Sequence, residues 1–130
     1  MKRILIIDDN PLNNKSFIQP LENFYQVDVV MSLKAAVRKL DIYSYSLVVL
    51  DIMMPTQEMG GDNEILTGFY FYDNIIKNNY PNIPILFWSN LLSDAFDDHF
   101  SSNKPDTVLF IHKTRKDRNH LIEKVNELLK

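Results

Sequence analysis

The stretch RILIIDDNP (residues 3–11) decides how the rest of the chain is interpreted. Ile4–Ile7 is a run of four branched apolar residues, typical of a β-strand that is covered on both faces. Asp8 and Asp9 follow directly, at the point where this strand should end. Adjacent carboxylates repel each other, so their place at a strand end suggests a chemical role.

The composition is that of an ordinary globular chain, with 45% hydrophobic and 24% charged residues. Its 130 residues suit a single domain, and no segment is long enough to span a bilayer. The absence of cysteine excludes disulfides and thiolate metal sites. A net charge of -3 argues against nucleic-acid binding through phosphate contacts. We therefore expect a cytoplasmic protein that binds neither nucleic acid nor membrane.

Short apolar runs alternate with longer amphipathic stretches along the chain, an order typical of an α/β fold with a parallel sheet. Asn10 and Pro11 predict the N-cap and first turn of the first helix. Pro20 predicts a kink or an early end of that helix. The predicted strands and helices, in chain order, are Ile4–Ile7, Pro11–Phe24, Val27–Met31, Leu33–Ile42, Leu47–Leu50, Gly68–Asn78, Ile85–Trp88, Leu92–Phe100, Val108–Ile111 and Lys116–Leu129.

Polar residues follow four of the predicted strands. In an open parallel sheet, ligands bind beyond the carboxyl ends of the strands. Clustered carboxylates need a cation, and their hard oxygen atoms suit Mg²⁺. An aspartate at the end of the central strand is placed to act as a nucleophile, while a lysine and a hydroxyl can bind phosphoryl oxygens. The residues that would converge at this edge are Asp8, Asp9, Asp51, Ser89 and Lys113.

At these five positions, and at Met54-Pro55 behind Asp51, the sequence resembles the receiver domain of two-component response regulators. The resemblance covers essentially the whole chain. It implies a flavodoxin-like, doubly wound sheet of five parallel strands in the order 2-1-3-4-5, with helices on both faces. We expect one receiver domain over residues 1–130 that stands alone, because the sequence ends directly after the fifth predicted helix and leaves no residues for an output domain.

The resemblance implies that Asp51 accepts a phosphoryl group from a phosphohistidine. The donor would be a sensor histidine kinase or a histidine phosphotransfer protein. Asp8, Asp9 and Asp51 would hold Mg²⁺ together with the backbone carbonyl of Met53. No other cofactor is implied.

Ser89 and Lys113 would bind the phosphoryl oxygens. Ser89 and Phe110 would form a switch that changes a protein-binding face for a downstream target that the sequence does not identify. Such a domain is not an enzyme in the usual sense, since it would catalyse only its own phosphorylation and dephosphorylation.

The sequence departs from the family's pattern at several places. An inserted loop at about 56–67 separates Pro55 from Gly68, and we interpret it as a solvated loop or a lid. Asn90 stands where the family favours a very small residue, which predicts slow transfer from small phosphodonors. Thr114 replaces a proline after Lys113, and Phe110 replaces the more usual tyrosine.

Two alternatives stay open from sequence alone. A degenerate receiver could bind a partner protein without phosphorylation. An enzyme on the same fold is also conceivable, but a flavodoxin would need a hydroxyl- and glycine-rich loop where this chain has DDNPLNN. A haloacid-dehalogenase-type phosphatase would need a second aspartate two residues after the first, where Met53 and Asn10 stand.

Overall fold

Five parallel strands form one sheet in the order β2-β1-β3-β4-β5. The structure is a computed structural model that describes residues 1–52, 67–90, 93–113 and 119–129. The sheet confirms the predicted fold class and strand order. The strands are β1 (Arg3–Ile7), β2 (Gln26–Val30), β3 (Leu47–Leu50), β4 (Ile85–Ser89) and β5 (Val108–His112).

Helices cover both faces of the sheet, as predicted. Helices α1 and α6 pack on one face, while α2, α3 and α5 pack on the other. None of the helices in the described ranges combines the length and apolar character that a membrane crossing needs. The helices are α1 (Lys15–Ile18), continued by a 3-10 turn (Gln19–Asn23), α2 (Leu33–Ile42), α3 (Thr67–Phe71), joined by a π-helical turn (Tyr72–Ile76) to α4 (Lys77–Asn79), α5 (Ser93–His99) and α6 (His120–Leu129).

Strand β1, which lies between β2 and β3, is buried on both faces. Ile4 and Ile6 point toward α1 and α6, whereas Leu5 and Ile7 point toward the opposite helical layer. All four side chains are at most 1% exposed. Burial of each such side chain stabilises the fold by about 1.5–3 kcal/mol relative to leaving it exposed. The strand that carries Asp8 at its end is therefore firmly anchored.

The predicted start of the first helix is wrong. Residues 11–14 form a turn, closed by a hydrogen bond from the Asn14 N–H to the Pro11 carbonyl (3.1 Å), and α1 begins at Lys15. The cause is local competition, because the Asn10 carbonyl, which would accept the first intrahelical hydrogen bond, accepts the Asn14 side-chain amide instead (3.2 Å). The effect predicted for Pro20 is confirmed, since the α-helical segment ends at Ile18 and a 3-10 turn takes over.

Three predicted segments extend beyond the described residues. Of the insertion predicted at 56–67, only Thr67 is described, and it already belongs to α3. The predicted helix starts at Leu92 and Lys116 also lie outside the described residues.

Gly68 lies where α3 approaches the end of β3 most closely. Its N–H donates to the carbonyl of Ile52 (2.7 Å). A Cβ atom at this position would lie 2.4 Å from the Asp51 carbonyl oxygen and 2.6 Å from Ile52 Cα. Both neighbours are backbone atoms that cannot rotate away, so the absence of a side chain permits the contact.

The Gly68→Ala variant should therefore be strongly destabilised. We expect the free energy of unfolding to fall by about 2 kcal/mol or more, because the added methyl group forces α3 and β3 apart. Urea denaturation measures this loss. The exposed control Asn78→Ala in α4 should change stability by less than about 0.5 kcal/mol. Equal stabilities for Gly68→Ala and the control would contradict the close approach.

Candidate functional site

The register of the sheet brings the polar strand ends together. Ile7 of β1 pairs with Leu50 of β3, and the Asp51 N–H donates to the Ile7 carbonyl (3.1 Å). Asp8 and Asp51, the residues that follow these two strands, are therefore neighbours at the carboxyl edge of the sheet. Lys113 arrives at the same edge from β5, where its N–H donates to the Ser89 carbonyl (2.8 Å).

Three carboxylates meet at this edge. One oxygen from each of Asp8, Asp9 and Asp51 lies within 4.8 Å of the other two. Asp8 is 1% exposed and Asp51 is 7% exposed, whereas Asp9 lies at the surface. Two of the three negative charges are thus held away from bulk water, which is unfavourable without a compensating charge.

Lys113 supplies that compensating charge. Its ammonium lies 3.1 Å from Asp51 Oδ2 and 3.6 Å from Asp8 Oδ2. It also lies 4.6 Å from the ring centre of Trp88, whose ring packs edge-on against Phe17. The lysine is itself buried, so attraction between the opposite charges is screened less than at the surface.

Hydrogen bonds from the β1–α1 segment hold the Asp8 carboxylate. Oδ1 accepts the Asn10 N–H (2.9 Å), and Oδ2 accepts the Asn14 side-chain amide (2.6 Å). Sequence reasoning missed Asn14, because the expected helix start at Pro11 placed it inside a helix. The available signal was the repeated asparagine in DDNPLNN, residues 8–14.

The surroundings of Asp9 disfavour its negative charge. Neighbouring protein displaces water from its carboxylate, and the negative charge of Asp8 adds repulsion, so the pKa of Asp9 is raised above its ordinary value. Its backbone hydrogen bond and the charge of Lys113 act in the opposite direction but are smaller. A divalent cation near this group would relieve the repulsion.

The site opens into a cavity of about 230 Å³. Asn90 stands at its rim, and its carbonyl accepts a hydrogen bond from His112 Nε2 (2.9 Å). This bond ties the residue after β4 to the last residue of β5. The lining is polar throughout and comprises Asp8, Asp9, Asn10, Asn13, Asn14, Asp51, Asn90 and Lys113.

The other predicted site residues lie nearby or outside the described ranges. Ser89 is fully buried at the end of β4. Phe110 is half-buried on β5, with its ring centre 5.3 Å from that of Phe96 in α5. Met53 and Thr114 lie outside the described residues.

The donor set suits a hard divalent cation. The carboxylate oxygens of the acidic cluster are the ligands that Mg²⁺ prefers, and the polar cavity leaves room for the water molecules that Mg²⁺ retains. Soft metals would prefer sulfur ligands, and the chain contains no cysteine. The residues therefore fit Mg²⁺ by their chemistry.

Comparisons with known proteins point to one family. The profile of the response regulator receiver domain matches residues 4–126. A curated relative, a probable cyclic di-GMP phosphodiesterase of Vibrio cholerae, is 38% identical over 86 residues, or 65% of this chain. The match spans only 17% of that protein's length.

Solved structures have the same fold over nearly the full chain. The response regulator TrrA of Thermotoga maritima, in complex with Mg²⁺ and BeF, is 25% identical, with 99% of this chain and 100% of that chain covered and a TM-score of 0.74. TrrA in complex with the histidine kinase ThkA gives the same identity and TM-score, with both chains fully covered. The chemotaxis protein CheY4 of Vibrio cholerae shares the fold at 18% identity, with 99% of each chain covered and a TM-score of 0.75.

Replacing the buried lysine should destabilise the cation-free protein. Lys113→Met leaves two buried carboxylates without a countercharge, so we expect the free energy of unfolding at pH 7 to fall by about 3 kcal/mol. Urea denaturation in the presence of EDTA measures it. Lys124 is half-buried and forms an ion pair with the exposed Glu127, and Lys124→Met should lower the free energy of unfolding by less than about 0.5 kcal/mol. A loss for Lys113→Met no larger than the control's would contradict the buried pairing.

Removing the charge of Asp9 should have the opposite effect. Because the pKa of Asp9 is raised in the folded state, its ionised form opposes folding above that pKa. In EDTA at pH 7, Asp9→Asn should raise the melting temperature by about 2 °C. This difference in melting temperature between the variant and the wild type should vanish as the pH falls through the raised pKa of Asp9 toward 3.8, its ordinary value. Thermal unfolding at several pH values tests this, and an advantage that persisted at pH 3 would point to another cause.

Proposed function

The chain belongs to the response regulator receiver domain family, and we propose that it is a phosphoacceptor in two-component signalling, with Asp51 as the acceptor. The donor is a phosphohistidine on a sensor histidine kinase or a histidine phosphotransfer protein. Support for a kinase partner comes from TrrA of Thermotoga maritima, a structural neighbour that forms a complex with the histidine kinase ThkA.

The observation that carries the proposal is the arrangement around Asp51. Its carboxylate lies beside two further carboxylates and accepts a hydrogen bond from the Lys113 ammonium (3.1 Å). A structural cluster of acids would gain nothing from a cavity open to small molecules, whereas phosphoryl transfer requires one. The arrangement also argues against the degenerate-receiver alternative, because no member of the acidic set has been replaced.

The proposed reaction is a direct transfer. An Asp51 carboxylate oxygen attacks phosphorus, and a P–O bond forms as the P–N bond of the phosphohistidine breaks. The imidazole nitrogen of the donor takes the electron pair. Lys113 already contacts the Asp51 carboxylate, so its ammonium can follow the negative charge onto the phosphoryl oxygens without a large movement. Ser89 would donate a hydrogen bond to one of these oxygens.

Mg²⁺ is part of the proposal, held by Asp8, Asp9, Asp51 and the carbonyl of Met53. When bound, the cation supplies neutralising charge for the carboxylates and for the incoming phosphoryl group. The raised pKa of Asp9 supports a cation here, since a carboxylate under repulsion gains most from a positive neighbour. Asp8 and Asp51 stay oriented by their own hydrogen bonds.

Phosphorylation of Asp51 would change the shape of a protein-binding face. Ser89 is fully buried. If its side chain moves toward a phosphoryl oxygen, the side chains packed around it must therefore move as well. The half-buried ring of Phe110, packed against Phe96, can follow such a movement and alter the α5–β5–α6 face. A downstream protein that binds one form better would read the change. The chain would turn over no separate substrate, and we place this chemistry in the cytoplasm.

Asn90 should slow the reaction with small donors. Asn90 is one of the residues that line the cavity, and its backbone carbonyl is hydrogen-bonded to His112. Asn90 would thus restrict access to Asp51, consistent with an acceptor that depends on a docked protein donor.

Intact mass spectrometry tests the acceptor. Purified protein is incubated with Mg²⁺ and acetyl phosphate, and then with a panel of phosphorylated histidine phosphotransfer proteins. We expect one phosphoryl adduct in the wild type and none in Asp51→Asn, because the amide is not a nucleophile. The adduct should require Mg²⁺ and disappear with EDTA.

The matched control is Asp106→Asn, which changes an exposed aspartate away from the site and should keep the adduct. An adduct that survives in Asp51→Asn would show that another residue is the acceptor. No adduct with any donor, in a protein that folds normally, would overturn the proposal and leave a phosphorylation-independent binding module.

A further inference from the structure

Asn14 is the N-cap residue of α1, but its side chain does not cap the helix. Its carbonyl accepts the backbone N–H groups of Phe17 (3.0 Å) and Ile18 (3.2 Å), as an N-cap carbonyl does. Its side chain makes no capping hydrogen bond, although capping is the usual reason for asparagine at this position. Ser32 shows the ordinary behaviour, since its hydroxyl accepts the Ala35 N–H (3.2 Å) at the start of α2.

The Asn14 amide is directed to the acidic cluster instead. Its Nδ2 group donates to Asp8 Oδ2 (2.6 Å) and to the Asn10 carbonyl (3.2 Å). The residue is 5% exposed, so water competes little for these bonds. The second bond fixes the amide in place, and the first fixes the carboxylate.

Asp8 is thereby held from two sides. The Asn10 N–H binds Oδ1, and the Asn14 amide binds Oδ2. Each carboxylate oxygen has two lone-pair directions, so one donor per oxygen leaves acceptor capacity while restricting rotation of the group. A carboxylate held in this way loses less freedom when it binds a cation.

From this geometry we propose that Asn14 is a positioning residue that orients Asp8 for the divalent cation and so sets the cation affinity of the site. The inference rests on the proposed function. Outer-shell hydrogen bonds to metal ligands change affinity by about 10- to 100-fold in other proteins. Asn14 would act through Asp8, without touching the cation or the phosphoryl group.

Two variants remove the amide donor. Asn14→Leu keeps most of the side-chain volume, and Asn14→Ser keeps a small polar group. Isothermal titration calorimetry with MgCl₂ on the full chain should give a dissociation constant about tenfold or more above that of the wild type for each variant. The Trp88 emission gives an independent reading, because the Lys113 ammonium lies 4.6 Å from this ring.

Comparing the half-maximal Mg²⁺ concentration with the maximal labelling rate separates a positioning role of Asn14 from a general effect on stability. For the variants, the Mg²⁺ concentration that gives half-maximal labelling by acetyl phosphate should rise by the same factor as the dissociation constant. The maximal rate at saturating Mg²⁺ should stay within about twofold of the wild type, because the acceptor and the lysine are unchanged. A general loss of structure would lower the maximal rate instead.

Ser32→Ala is the matched control, because it removes a real cap. It should lower the melting temperature by several degrees and leave the Mg²⁺ dissociation constant unchanged. If Asn14→Leu does not fold, Asn14→Ser provides the measurement, and the reverse holds as well.

The outcomes are distinct. Folded Asn14 variants that bind Mg²⁺ as tightly as the wild type would overturn this inference and leave the proposed function intact. A wild type that neither binds Mg²⁺ nor takes an adduct would overturn the proposed function and this inference with it. A weaker affinity in Ser32→Ala equal to that of the Asn14 variants would show a stability effect and contradict positioning.

Discussion

Like charges are held together at the ends of the parallel strands β1 and β3, and the surrounding structure must balance their repulsion. Asp8 and Asp51 are buried beside each other, and Lys113 lies between them as a countercharge. Such a cluster opposes folding, since each buried charge loses hydration that pairing only partly replaces. It persists because the strands that carry it are fully buried and cannot move apart. A bound cation would relieve this strain, and that would couple the scaffold to the proposed chemistry.

Several backbone contacts keep the cluster in register. The Asp51 N–H is bound to β1 and the Lys113 N–H to β4, so neither side chain can drift from the edge. Gly68 lets α3 press against the end of β3. On the other side, the segment after Asp9 forms a turn rather than a helix, and this turn brings the Asn14 amide to Asp8. The site is thus built on rigid strands and adjusted by a loop.

The sequence predicts the sheet and its polar edge well, because both depend on patterns that few folds share. Continuous apolar runs ending in Asp8-Asp9, Asp51 and Lys113 specify buried parallel strands and what they deliver. Local competition between hydrogen bonds is harder to predict. The pair Asn10-Pro11 is a good helix start by propensity, but the Asn14 side-chain amide binds the Asn10 carbonyl, and the helix begins only at Lys15. The π-helical turn at Tyr72–Ile76 has no signal in residue type either, since it depends on how the helix packs.

A crystal structure of the wild-type protein grown with Mn²⁺, with anomalous diffraction data, would show whether the acidic cluster holds a divalent cation. We expect one strong anomalous peak within coordination distance of carboxylate oxygens from Asp8, Asp9 and Asp51, with the Lys113 ammonium nearby but outside the coordination shell. A cavity without a peak at saturating Mn²⁺, or a peak bound elsewhere while Lys113 still bridges Asp8 and Asp51, would contradict it.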